Sequence, residues 1–344
     1  MKTELDESVC VYGSGVLLKH LQALMQEIEG VESGAEDIEH IHRMRVASRR
    51  LRSAFSLFSG CLPPKKQKEW LRQIKQVTRA LGAARDADVQ IARLQTFLDG
   101  LTLRKHRPGV ERLLLRLRQQ RQRLQPGLQD AMRELQSSGV LAELQAYLTP
   151  QAARQEQVYL YTPALYRHAF TAIAAALADL LAYDAIVYQP DQVEQLHAMR
   201  ISAKRLRYTI ENLAPLYPSG LKPYLQTVRK TQELLGDIHD CDVWIAFLPR
   251  FLEEEKQRIL DFYNHTRPFS RLVAGIEYFC ADCAAARSQH YENFVGRWRR
   301  WQEEGLWTKL GQEIRAPFFQ SAPGGDRPKA GANREENAQD EGAA

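Results

Sequence analysis

His42, Arg45, Arg49 and Arg52 recur three or four residues apart in the stretch HIHRMRVASRRLRS, from His40 to Ser53. Side chains at that spacing share one side of a helix, so the stretch stacks cations along about 15 Å of axis. The chemistry this set offers is anion capture. The arginine fork donates two parallel hydrogen bonds to a phosphate, and its charge does not titrate away. Histidine adds a donor whose protonation a bound anion favours. The set recurs as His197, Arg200, Lys204 and Arg207 in HAMRISAKRLRY, His197–Tyr208. Arg50 and Arg205 share a second angle in the two segments.

Like charges at these spacings oppose a helix by roughly 0.2–0.5 kcal/mol per pair, and desolvation enlarges that cost. With His42 at zero on a helical wheel, Arg49, Arg45 and Arg52 fall at about 340°, 300° and 280°. Met44, Ala47, Leu51, Phe55 and Phe58 cluster between roughly 140° and 220°. The stripe therefore borders the core, whereas an ordinary solvated face lies opposite it and mixes both signs. Two sources of counter-charge are open. One is internal, from Asp86, Asp88, Asp240 and Asp242. The other is a polyanionic ligand, favoured by the excess of cations over nearby acids and by its recurrence in both halves. The aspartate pairs themselves follow Gly82 and Gly236, which read as helix-ending glycines. Asp86 and Asp240 then read as N-caps, and the helix dipole accounts for Asp88 and Asp242 without a metal.

The elements that must position these residues are helical. The chain of 344 residues is 44% hydrophobic and 26% charged, a globular composition, and its net charge of +5 is too mild for a histone-like or ribosomal character. Helical periodicity predicts helices at about 12–30, 35–59, 65–82, 86–100, 109–136, 164–185, 190–214, 219–236, 240–257 and 268–302, with no run that alternates as a strand does. An internal repeat organises them. IEHIHRMRVASRRLRSAF (Ile38–Phe55) matches VEQLHAMRISAKRLRYTI (Val193–Ile210) at an offset of 155 residues. LGAARDADV (Leu81–Val89) matches LGDIHDCDV (Leu235–Val243) at an offset of 154. The chain thus reads as two copies of one helical unit, 1–150 and 151–320, with a linker around Thr149–Pro163. The tail, 321–344, has no large apolar residue and is expected to be disordered.

Other chemistries find little support. Cys10, Cys61, Cys241, Cys280 and Cys283 form no disulfide framework, which suggests a reducing compartment, and CADC at Cys280–Cys283 reads as small buried helix residues. The start is too acidic and polar for a signal peptide. The apolar run Phe170–Tyr188 is interrupted by Asp179 and Asp184 and reads as a buried bundle helix, so no membrane partner is expected. His40 and His42 lie about 200° apart on a helix and cannot chelate one ion. No zinc, P-loop, dinucleotide or Ser/His/Asp pattern stands out, so neither a metal nor a cofactor is expected.

At these residues the chain resembles the conserved histidine α-helical domain, or CHAD, family. HxxRxxxRRLR at His42–Arg52 and HxxRxxxKRLR at His197–Arg207 carry the resemblance, and LGAARDADV and LGDIHDCDV reinforce it. It covers all but about the first ten residues and the tail. The resemblance implies an all-α fold of two tandem four-helix-bundle-like repeats related by a pseudo-two-fold, their basic helices facing a shared cleft or pore. It implies non-catalytic binding of inorganic polyphosphate there and association with polyphosphate granules, with granule proteins or polyphosphate-metabolising enzymes as further partners; the polar start and the interrupted apolar run themselves read as cytoplasmic. Carried over by position, the phosphate ligands are His42, Arg45, Arg49, Arg50 and Arg52, with His197, Arg200, Lys204, Arg205 and Arg207. Arg72, Lys75 and Arg79 share a face of the next helix and are expected to contribute. Lys75 aligns with Arg229, but Gln226 and Glu233 replace Arg72 and Arg79, so the halves are expected to bind unequally. Arg85 aligns with His239, so a residue able to carry positive charge precedes each aspartate. The triphosphate-tunnel catalytic domain often paired with this family would need E-x-E-x-K on a strand, and the chain has none. Two alternatives remain. One is an RNA- or DNA-binding module with Tyr208 stacking a base, though base-reading amides are lacking. The other is a metal-dependent phosphohydrolase with the metal on Asp86 and Asp240.

Overall fold

Apolar side chains three and four residues apart drive most of the described residues into helices, and among the described residues no strand forms. The computed structural model describes residues 5–32, 39–217, 220–315 and 317, so the expected disordered tail lies outside the described residues. The first half contains α1 (Glu7–Met25), α2 (Ile28–Glu32), α3 (Glu39–Leu57), α4 (Pro64–Asp99), α5 (Arg107–Ser137) and α6 (Val140–Ala153). The second contains α7 (Pro163–Leu181), α8 (Val193–Leu213), α9 (Leu221–Tyr263), α10 (Ser270–Glu303) and α11 (Leu306–Glu313). Local chemistry sets several starts. Asp6 accepts from Ser8 N at 2.9 Å to cap α1, Thr162 accepts from Leu165 N at 3.1 Å to cap α7, and Pro64 and Pro163 open their helices.

The expected breaks at Gly82 and Gly236 do not occur. α4 and α9 run straight through them, so four expected helices are two long ones. Leu81, Ala84 and Ala87 on α4, and Leu235, Ile238 and Cys241 on α9, keep the buried stripe unbroken past each glycine. Their burial outweighs the roughly 0.5–1 kcal/mol that an interior glycine costs. Asp86 and Asp240 are consequently mid-helix residues rather than N-caps. A Cβ at Gly82 would stand 3.8 Å from Arg45 Nε, and one at Gly236 would stand 3.7 Å from Arg200 Nε. Each therefore lies directly against a stripe arginine.

Two long hairpins, α4/α5 and α9/α10, dominate the packing, with α3 laid on α4 and α8 on α9. One core cluster crosses both halves, from Leu17, Leu51, Phe55 and Trp70 to Leu165, Leu206, Ile210 and Trp298. A second joins the far ends of the hairpins through Leu94, Leu98, Leu117, Trp244, Leu248 and Phe279. There Gly109 and Gly275 let α5 and α10 touch: a Cβ on Gly109 would lie 2.1 Å from Leu272 O. Glu255 is fully buried and accepts from Arg116 at 2.5 Å and Arg258 at 2.7 Å, with Arg112 at 3.5 Å, which ties α5 to α9. The segment Pro163–Tyr188 has the length and hydropathy of a membrane span. Its helix α7 nonetheless buries Leu165, Ala169, Ile173, Leu177 and Leu180 in the protein core.

One cysteine expectation is corrected. Cys10 on α1 and Cys61, just after α3, form a disulfide with their Cα atoms 5.1 Å apart. Packing of α1 on α3 brings together residues far apart in sequence, which spacing alone does not reveal. The cysteine pattern thus gives no argument for a reducing compartment. Cys241, Cys280 and Cys283 are free, and the last two lie on α10 as helix residues.

Candidate functional site

α3 buries Ile41, Met44, Ala47, Leu51 and Phe55, and α8 buries Leu196, Met199, Ala203, Leu206 and Ile210. Those anchors fix the stripes at the edge of the core, and contact between α3 and α8 merges them. Lys204 stands at the centre. Burial, then Arg49, Arg200, Arg45 and Arg52, push its ammonium from 10.5 down to about 8. Burial and arginine neighbours likewise lower Arg45, Arg52 and Arg200, and Arg79 is among the cations acting on Arg52. Arg49 and Arg207 each place Cζ 5.8 Å from the centroid of the buried Tyr208 ring, a cation–π arrangement at the junction of the two helices. Beside this cluster opens a cavity of about 800 Å³, lined in part by Arg49, Arg52, Ser56, Lys75, Lys204 and Arg205.

Internal counter-charge is present but uneven. Arg45 donates to Asp86 at 3.1 Å. Asp240 feels Arg200, yet burial outweighs it and its carboxyl is raised. The second aspartate of each pair serves the hairpins instead: Arg121 donates to Asp88 at 2.7 Å, and Arg287 pairs with Asp242. Glu211 accepts from Arg207 at 2.8 Å, Arg229 at 3.1 Å and Arg50 at 3.4 Å. Burial pushes its carboxyl up, but Arg207, Arg50 and Arg229 outweigh that and hold it below the usual carboxylate range. Arg205 donates to Asp179 at 2.7 Å in an exposed pair.

The expected ligands thus fall into groups. Arg45, Arg49, Arg52, Arg200 and Lys204 form one cluster, and Lys75 stands on the cavity wall. Arg50, Arg207 and Arg229 turn to Glu211, and Arg205 turns to Asp179. Arg72 is exposed and outside the cavity lining. His42 is held low by burial and by Arg85, Arg45 and Arg43, and its buried Nδ1 has no partner among the described residues. His197 Nδ1 lies 3.0 Å from His239 Nδ1. Burial, Arg200, His197 and Lys204 push His239, at the position matching Arg85, down to about 4, so it is neutral near pH 7. Sequence reasoning missed Glu211, Arg121 and Arg287. Glu211 had a readable signal: one residue beyond the matched segments it stands opposite Ser56.

The CHAD domain family model matches residues 15–249. Two uncharacterized proteins of Mycobacterium tuberculosis, from strains CDC 1551 / Oshkosh and ATCC 25618 / H37Rv, are each 30% identical over 225 residues, covering 61% of this chain. The chain spans 40% of the length of these curated relatives. Among solved structures, the CHAD domain from the plant Ricinus communis aligns with a TM-score of 0.57 and 25% identity, over 85% of this chain and 93% of that one. PptA from Streptomyces chartreusis aligns with a TM-score of 0.58 over 84% of this chain and 98% of its own, and at 18% identity it shows the fold alone.

Proposed function

The chain belongs to the CHAD domain family, and we propose that it binds inorganic polyphosphate, without turning it over, at the cluster where α3 and α8 meet. The observation that carries this reading is the state of Arg49, Arg52, Lys75 and Lys204. Among the described residues they form no ion pair, two of them are depressed by burial and like-charge neighbours, and all four line the cavity. A linear polyanion supplies the missing charge and has no base or sugar that needs reading, which suits a wall of arginine and lysine. Localisation to cytoplasmic polyphosphate granules, and contact with granule proteins or polyphosphate-metabolising enzymes, extend the same proposal.

The nucleic-acid reading is less well supported, because Tyr208 is buried between Arg49 and Arg207 and offers little ring to a base. The phosphohydrolase reading draws no support from the aspartates. Asp86 is paired with Arg45, and Asp240 is held toward its neutral form. The test reverses charge at Arg49→Glu with Lys204→Glu and titrates long-chain polyphosphate. Affinity is expected to fall more than about a hundredfold, since half-buried charges carry the contact, while circular dichroism shows an unchanged helix content. Binding equal to that of the unaltered protein would overturn the site.

A further inference from the structure

The two halves answer the same convergence of cations in different ways. In the second half, Arg207 of α8, Arg229 of α9 and Arg50 of α3 meet on the Glu211 carboxylate. The offsets of the repeat place Arg52 of α3, Lys75 of α4 and Arg205 of α8 at the equivalent positions of the first half, with Ser56 opposite Glu211. All four line the cavity of about 800 Å³. At the hairpin tips the chain again meets converging arginines with a buried carboxylate, Glu255 among Arg112, Arg116 and Arg258. At Arg52 and Lys75 it supplies a serine and open space. Among the described residues neither Arg52 nor Lys75 forms an ion pair, Arg52 Nε is buried without a hydrogen-bond partner, and Ser56 is exposed. Arg205 is drawn to Asp179, so Arg52 and Lys75 carry the vacant position with Arg49 and Lys204 beside them.

From this asymmetry we infer that Glu211 is a built-in surrogate for a bound phosphate. Its carboxylate fills the anion position of the second half, and the cavity beside Ser56 takes a phosphoryl group of the ligand at the matching position. Carboxylate and phosphoryl oxygens present the same paired acceptors to a guanidinium, so one cation geometry serves both. Glu211 then makes binding one-sided, because its charge repels phosphate from the Arg50, Arg207 and Arg229 end. The ligand runs from the cavity over Arg49 and Lys204 and stops short of Glu211. This inference rests on the reading of the cluster as a polyphosphate site.

Two reciprocal variants test it, Ser56→Glu and Glu211→Ser, each melted without ligand and titrated with tripolyphosphate. Ser56→Glu, at an exposed position, is expected to raise the unliganded Tm and weaken tripolyphosphate at least about tenfold, by placing a carboxylate where the phosphoryl group binds. Glu211→Ser is expected to lower the unliganded Tm and to admit a second equivalent of tripolyphosphate. Unchanged affinity in Ser56→Glu overturns the inference, as does a folded Glu211→Ser that gains no second equivalent. If Glu211→Ser does not fold, Ser56→Glu decides alone. If the unaltered protein binds no polyphosphate, the functional reading fails by itself. The surrogate role is then judged on the unliganded melts, where a Ser56→Glu Tm at or below that of the unaltered protein overturns it.

Discussion

Lys204 is the residue on which the cation cluster converges, and its depressed ammonium gives the site a pH dependence. In the free protein it is charged below pH about 8 and neutral above. A polyanion favours the charged form and raises the value on binding, so affinity is flat below pH about 8 and falls as pH rises beyond it. The unliganded fold responds with the opposite sign. The unfolded chain holds this proton more tightly than the native one, so stability rises with pH between about 8 and the ordinary 10.5. A Lys204→Arg variant carries a cation that does not titrate and should lose the alkaline fall in affinity. Binding curves on either side of that pH check this, and parallel profiles for the two proteins would contradict it. At this scale the sequence was informative about which cations lie beside the core, because the wheel of α3 follows from spacing. About their partners it offered only the mismatch of Glu211 with Ser56. Glu211 stands four residues after Arg207 and reads as an ordinary helix pair until α3 and α9 bring Arg50 and Arg229 to it.

Among the elements, the long hairpins were the hardest to read. Gly82 and Gly236 carry the usual signal for a helix end, yet each is a point where α4 or α9 passes beneath a stripe arginine. The apolar stripe beyond them was visible, but the partner surfaces that bury it, α5 and α10, belong to distant sequence. The Cys10–Cys61 disulfide was hidden for the same reason, since it depends on α1 lying along α3. Gly109 and Gly275 mark the other close contact, between α5 and α10. Gly109→Ala would drive a methyl group to 2.1 Å from Leu272 O, and backbone cannot yield as a flexible side chain can. The hairpin tips must then separate, at a cost of about 1–3 kcal/mol, measured as a lower midpoint in urea. Polyphosphate affinity should stay unchanged, because the contact lies away from the cluster. A midpoint equal to that of the unaltered protein would show that the hairpin tips have room for the methyl group.

For the whole molecule, a core that crosses both halves holds α3 and α8 together despite the repulsion between their stripes. The helical periodicity sufficed to make an all-helical fold legible, and the doubled motif pointed to the two basic helices. They did not reveal that one half carries its own anion in Glu211 while the other leaves Arg52 and Lys75 open. Because the unliganded fold retains that repulsion, a polyanion that binds only the native state must stabilise it. The most direct measurement is a thermal melt of the unaltered protein with and without saturating long-chain polyphosphate, at low and at high salt. The account predicts a rise in Tm corresponding to about 2.7 kcal/mol at a ligand concentration a hundred times Kd, shrinking as salt screens the phosphates. An unchanged Tm at low salt would contradict it.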